Sequence, residues 1–137
     1  MGSYSDAPAI VNEFLNYQAV IQNKSKNTIH EYYYDLRTFF RFMKMKKNQD
    51  EYKDLTFEQI QIQDVTIEFI RTIKLSDLYE YLSFINTTRD NEARSRSRKV
   101  SSLKSFYKYL SEKAGLLEEN PTIKLEMPKL RQTLPTY

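Results

Sequence analysis

NEARSRSRKVSSLKSFYKYL, residues 91–110, carries the clearest two-sided pattern in the chain. Wound as an α-helix, it has two faces. Val100, Leu103, Tyr107 and Leu110 recur at the spacing of one helical side. Arg94, Ser95, Arg98, Ser102 and Ser105 fall on another. Guanidinium forks mixed with small hydroxyls suit a phosphate backbone and the base edges of a groove. Short serines let the helix backbone come close, where Glu or Leu would hold it away. A run of charge is more often a plain solvated face. Here serines alternate with the arginines and no acid stands between Arg94 and Tyr109, which favours a polyanionic partner.

A second stretch repeats the design. Residues 26–47 predict a helix with Ser25 as its cap. Ile29, Tyr33, Leu36, Phe40 and Met43 make its core stripe. About 100° around it lie His30, Tyr34, Arg37, Arg41 and Lys44. His30 is the sole histidine, and a lone histidine is more often a surface or capping residue than a metal ligand or catalytic base. Within the Tyr32-Tyr33-Tyr34 run, consecutive side chains point in different directions. Tyr33 is expected in the core and Tyr34 near phosphate.

Charge is distributed to match. Residues 23–47 carry seven Lys/Arg against Glu31 and Asp35, a net +5. Residues 91–113 carry seven against Glu92 and Glu112, again +5. Between them, residues 48–90 hold nine acids against four bases, a net −5. Two basic helices placed side by side would present one positive surface to a polyanion.

The rest of the chain reads as a helical scaffold. Its 137 residues suit one domain with one core, and 8 Phe and 11 Tyr are ample to fill it. Only 2 Gly and 4 Pro favour helices over sheets. The lack of Cys excludes disulfides and thiolate zinc sites, and one His supplies no metal cluster, so no metal and no cofactor is expected. No apolar run approaches the ~20 residues of a membrane span, and the N-terminus has no signal-peptide core. No membrane partner and a cytoplasmic location are therefore expected.

Residues 7–22 predict a first helix, capped by Ser5 or Asp6, with Ile10, Val11, Phe14, Leu15 and Ile21 inward. Residues 48–63 read as a long loop and residues 65–70 as a short helix or turn. Residues 75–87 predict a third main helix, with Leu75, Leu78, Tyr79, Leu82 and Ile85 inward. The fourth, capped by Asn91, should run to about Lys113, with Gly115 past its end. Asn120 and Pro121 open a short helix, and Pro128 to Pro135 read as the start of a linker.

Three stretches carry a family resemblance. SKNTIHEYYYDLRTFFRFM (residues 25–43) is similar to the S-x-x-T-x-x-x-Y-x-x-D-L-x-x-F helix of the tyrosine recombinases. SRKVSSLKSFYKYL (97–110) is similar to their R-K-L-S-A-L-R-S-F-Y stretch, and NPTIKLEMPKLRQTLP (120–135) to their exit toward the catalytic domain. They stand in the family's order and extend from residue 25 to residue 135. The chain thus resembles the N-terminal core-binding (SAM-like) domain of the phage-integrase family, Xer-type members above all. Arg96 departs from the pattern by standing where the family usually has an apolar residue, and the 48–74 segment is longer than in compact members.

The resemblance implies an all-α bundle of four to five helices over residues 1–127, with residues 128–137 starting a linker to a C-terminal catalytic domain. It implies double-stranded DNA as partner, further recombinase protomers on that DNA, and DNA contacts at Thr28, His30, Tyr34, Arg37, Arg94, Ser95, Arg98 and Ser102. The basic faces add Lys26, Arg41, Lys99 and Lys104 to the candidates, and Arg98, mid-helix among serines, is the sharpest of them for reading a base. The family's nucleophilic tyrosine and its arginine, lysine and histidine partners belong to the absent domain. This chain is therefore expected to bind DNA and to catalyse nothing alone. A helix-turn-helix regulator would need its two helices joined by a short turn, whereas the basic helices here lie about forty residues apart. A helical protein-interaction module is the other alternative, and it would tolerate charge on any face.

Overall fold

Ser25 opens the central helix. Its hydroxyl oxygen accepts from the Thr28 backbone N–H at 3.2 Å, satisfying one of the donors every helix start leaves unpaired. Helix α2 then runs over Lys26–Lys47, with Lys44, Lys46 and Lys47 in its last turn, where the helix dipole favours cations. The computed structural model describes residues 4–89 and 93–126, without the side chains of residues 88, 89 and 93. Asn91 and the predicted linker at 128–137 lie outside the described residues.

Five further helices surround α2: α1 (Ala9–Val20), α3 (Gln49–Tyr52), α4 (Ile67–Arg71), α5 (Leu75–Phe84) and α6 (Ala93–Lys108). Helices α1, α5 and α6 pack against it directly. Every regular element among the described residues is helical, so the architecture is an all-α bundle with four main helices and two short ones.

Because α2 is central, it buries more than one stripe. Phe39 and Phe42 join the predicted Ile29, Tyr33, Leu36, Phe40 and Met43 inside. Aromatic rings tie the layers together in edge-to-face pairs: Phe14 with Phe106 at 5.3 Å, Phe39 with Tyr81 at 5.2 Å, Phe40 with Phe106 at 5.9 Å. Val100, Leu103 and Leu110 of the opening stretch are buried in the same cluster, and Leu82 packs partly buried against it.

Several local expectations change. Pro8, not Ser5 or Asp6, holds the cap position of α1, which starts at Ala9 without a side-chain cap. Asp6 accepts a hydrogen bond from the Tyr33 hydroxyl, and the Ser5 carbonyl accepts from Gln63 Nε2 at 2.8 Å. Ile21 falls past the end of α1 and is exposed. Tyr79 is exposed too. Tyr81 takes the inward place, since it is the residue of α5 that faces Phe39 and Phe42 of α2. The 48–63 segment is not one long loop. It holds α3 and a 3-10 turn at Phe57–Gln59, where the Thr56 N–H donates to Gln59 Oε1 at 2.9 Å. Both α5 and α6 continue as π-helical turns, Ile85–Arg89 and Tyr109–Lys113. Gly115 ends the latter at φ 66°, and Leu116 N–H closes the turn on the Leu110 carbonyl at 2.8 Å. Asn120 Oδ1 accepts from Thr122 N–H at 2.9 Å and caps the 3-10 turn Pro121–Lys124, as predicted.

The acidic middle segment is bound to the basic end of α2. Asp77, buried at the start of α5, takes Lys46 Nζ at 2.9 Å and its own helix's Lys74 N–H at 2.8 Å. Burial alone would raise its pKa, but the Lys74 N–H and the two lysines outweigh it and hold the carboxyl below its ordinary 3.8. A lowered folded-state pKa stabilises the fold above the unfolded value, and the contribution disappears as pH falls through the folded one. Asp77→Asn should therefore melt at a lower temperature than the parent at neutral pH, with the gap closing below about pH 3.8. Thermal melts across the acid range check this. A gap that stays constant into strong acid would contradict it.

Candidate nucleic-acid interface

The two stripes singled out by sequence meet across an acidic seam. Asp35 and Glu31 lie one helical turn apart on α2, beside the His30–Tyr34–Arg37–Arg41 stripe. Arg98 of α6 closes on both. Its Nε donates to Asp35 Oδ2 at 3.2 Å and a terminal nitrogen to Asp35 Oδ1 at 2.9 Å, a two-pronged pair, while Glu31 stands at 3.7 Å. The Ser102 hydroxyl donates to Asp35 Oδ2 at 2.6 Å, and Lys99 Nζ lies 3.9 Å from Oδ1. Asp35 is only 3 % exposed. Arg98 of α6 is thereby tied to the turns of α2 that also carry His30 and Tyr34.

This geometry sorts the twelve sequence candidates. Lys26, His30 and Arg94 are exposed, and Tyr34 is 49 % exposed. Arg98 keeps 43 % of its side chain exposed even while gripping Asp35. Thr28, Arg37, Arg41, Ser95 and Lys104 are half-buried. Lys99 and Ser102 are buried, and Ser102 is turned inward to Asp35 rather than outward as the helical-wheel reading placed it. Several have structural work as well. Thr28 accepts from the Ser25 hydroxyl at 3.1 Å, Arg41 Nε donates to the Ile60 carbonyl at 3.1 Å, and Lys104 Nζ donates to the Thr122 carbonyl at 2.6 Å.

Arg37 is half-buried against two tyrosine rings. Its guanidinium lies over the Tyr34 ring at 4.9 Å and the Tyr33 ring at 5.3 Å. Its Nε is buried and lacks a hydrogen-bond partner. Tyr4 stacks on Tyr33 with ring centres 3.8 Å apart and is hydrogen-bonded to His30 Nδ1, so the N-terminal segment braces the start of α2. Burial and the bond to Asp6 push the Tyr33 phenol up to about 12. Burial, with the charge of Arg37 beside it, lowers the Arg41 pKa, though a guanidinium stays charged at any ordinary pH.

The basic block at 23–47 is divided. Lys44 is buried on Asp64 at 2.5 Å, and Lys46 and Lys47 are engaged by Asp77 and Glu80. Those three lysines neutralise the acidic middle segment and belong to the scaffold. The helix's outward positive charge lies in its N-terminal two-thirds. Sequence reading missed Asp35 and Glu31 as members of the site. The signal was present, since both acids sit within a basic segment at i, i+4 spacing, each next in sequence to a residue of the stripe. No group of three or more His, Cys, Asp or Glu among the described residues is arranged to hold a metal ion. No helix among them is long and apolar enough to cross a membrane.

Residues 11–114 match the family described as phage integrase, N-terminal SAM-like domain. The chain belongs to this family. It is 47 % identical over 130 residues to the tyrosine recombinase XerC of Caldanaerobacter subterraneus subsp. tengcongensis, covering 95 % of this chain and 36 % of that protein. XerC of Leptospira interrogans is 32 % identical over 123 residues, covering 90 % and 33 %, and XerD of Listeria monocytogenes 32 % over 126 residues, covering 92 % and 36 %. The chain thus spans about a third of the length of these relatives. No solved structure matched it.

Loss of the Arg98 fork should be felt in stability. Arg98→Ala leaves Asp35 buried with Ser102 and Lys99 only, and an under-paired buried acceptor costs about 1–3 kcal/mol. Chemical denaturation of the variant checks this, and an unchanged midpoint would show that the pair contributes nothing net.

Proposed function

We propose that this chain is the DNA-binding part of an Xer-type tyrosine recombinase, gripping one face of a recombination site through α2 and α6. The observation that carries the reading is the α2–α6 seam. It joins Arg98 of α6 to Glu31 and Asp35 of α2, which supports reading Arg94 and Arg98 as one surface with His30, Tyr34, Arg37 and Arg41, where cations and an exposed aromatic ring come together. Lys26 and Arg94 serve as phosphate contacts. Tyr34, with Arg37 on its ring, packs against the sugar-phosphate edge. Arg98, whose side chain is 43 % exposed beside Asp35, reaches the groove edge. Lys99, Ser102 and Lys104 act from behind, through the seam and the Pro121–Lys124 turn. The longer protein carries the strand-exchange chemistry in a C-terminal domain and works with further protomers on DNA, while this part alone neither cuts nor joins DNA.

Duplex binding measured by fluorescence anisotropy across a potassium chloride series tests the reading. Each phosphate neutralised adds about −0.9 to the slope of log affinity against log salt, so four or so contacts give a slope near −3.6. Arg94→Ala should reduce the magnitude of that slope by about 1. Lys53→Ala, an exposed lysine of the acidic segment, should leave it unchanged. Equal effects from the two substitutions would place the interface elsewhere, and no binding even at low salt would favour a protein-interaction module.

A further inference from the structure

We propose that Asp35 is a positioning residue for the DNA-binding surface: its buried carboxylate sets the register of α6 on α2, and without it the two basic stripes no longer fit one duplex. The inference rests on reading α2 and α6 as the interface, and it adds a residue that cannot itself touch DNA.

Three features support it. Asp35 is 3 % exposed, so its charge is not offered to solvent or to a ligand. Its donors come from one turn of α6, at positions 98, 99 and 102, and two of them bind at 3.2 Å or less. A slide of α6 by one residue shifts the helix about 1.5 Å and turns it about 100°, which breaks the whole set at once. Apolar packing between the same helices would tolerate such slips far better, which is why a single buried polar group is the usual device for setting helix register. Finally, a carboxylate in the midst of a surface for a polyanion works against simple attraction. A surface selected for charge alone would not keep one there. What Asp35 supplies instead is order: it holds Arg98, a long side chain that would otherwise lose its rotamer freedom on binding DNA, in one orientation beforehand.

The two roles Asp35 could have predict opposite signs. If it merely screens Arg98, Asp35→Asn raises the net charge by one and tightens binding to a mixed-sequence duplex, with a steeper salt slope. If it sets the register, Asp35→Asn weakens binding roughly tenfold despite the added charge, with a shallower slope because fewer phosphates are reached together. Ser102→Ala gives an independent reading. It leaves the net charge alone, and the residue is 2 % exposed, so any effect on DNA must pass through the seam. Both variants are assayed well below their melting temperatures, with circular dichroism confirming the helices. A several-fold loss in Ser102→Ala together with the loss in Asp35→Asn supports the proposal. Should Asp35→Asn fail to fold, Ser102→Ala decides alone. Tighter binding by Asp35→Asn, or Ser102→Ala indistinguishable from the parent, overturns it. A parent chain that binds no duplex at all would instead remove the interface reading on which the proposal rests, and that result is plain before any variant is made.

Discussion

Burying a carboxylate costs several kcal/mol unless donors replace its water, and this cost organises the junction of α2 and α6. Asp35 lies where the two helices meet, and α6 answers it with a guanidinium fork, a hydroxyl and an ammonium. Everything outward of that junction follows. Arg94 lies one turn before Arg98 on the same side of α6, and His30, Tyr34 and Arg37 lie on the neighbouring stripe of α2. Below it, Phe39, Phe40, Phe106 and Tyr107 fill the core on the same two helices. One seam therefore separates a dry aromatic interior from a wet basic surface.

The opposite end of α2 is held by a different device. There the acidic residues of the middle segment, Asp64, Asp77 and Glu80, take up Lys44, Lys46 and Lys47. These pairs fasten α5 and the Ile60–Asp64 stretch to the central helix. They also withdraw three cations from the surface. The alternation of charge along the chain thus has two causes: one basic stretch is partly consumed in folding, and what is left over is concentrated at the N-terminal part of α2 and along α6.

Much of this was legible in the sequence. Ser25 as a cap, Lys26–Lys47 as a helix, Gly115 past the end of the last long helix and Asn120 before Pro121 are local signals, read from single residues whose backbone chemistry leaves few alternatives. The core faces were legible where α-helical periodicity was strict. They failed at Tyr79 and Ile21, because a tyrosine at a stripe's edge can turn either way and the end of α1 depends on its neighbours. The site was legible as a surface but not as a mechanism. A helical wheel places Ser102 and Lys99 near Arg98, yet only the partner helix decides that they turn toward Asp35. The i, i+4 placement of Glu31 and Asp35 in a basic segment was visible, but which residues 63 to 67 positions away pair with Asp35 was not. Both acids of α2's N-terminal half were counted as a reduction in charge, when one of them is the residue around which the basic side chains are arranged.

One face, made by α2 and α6 together, is proposed to meet DNA. Hydrogen exchange of the chain with and without duplex DNA, resolved by residue, is the decisive experiment. Added protection is expected over the N-terminal two-thirds of α2 and over Ala93–Lys108, with none at α3, α4 or the Phe57–Gln59 turn. Protection concentrated on the acidic middle segment, or on one of the two helices without the other, would contradict it.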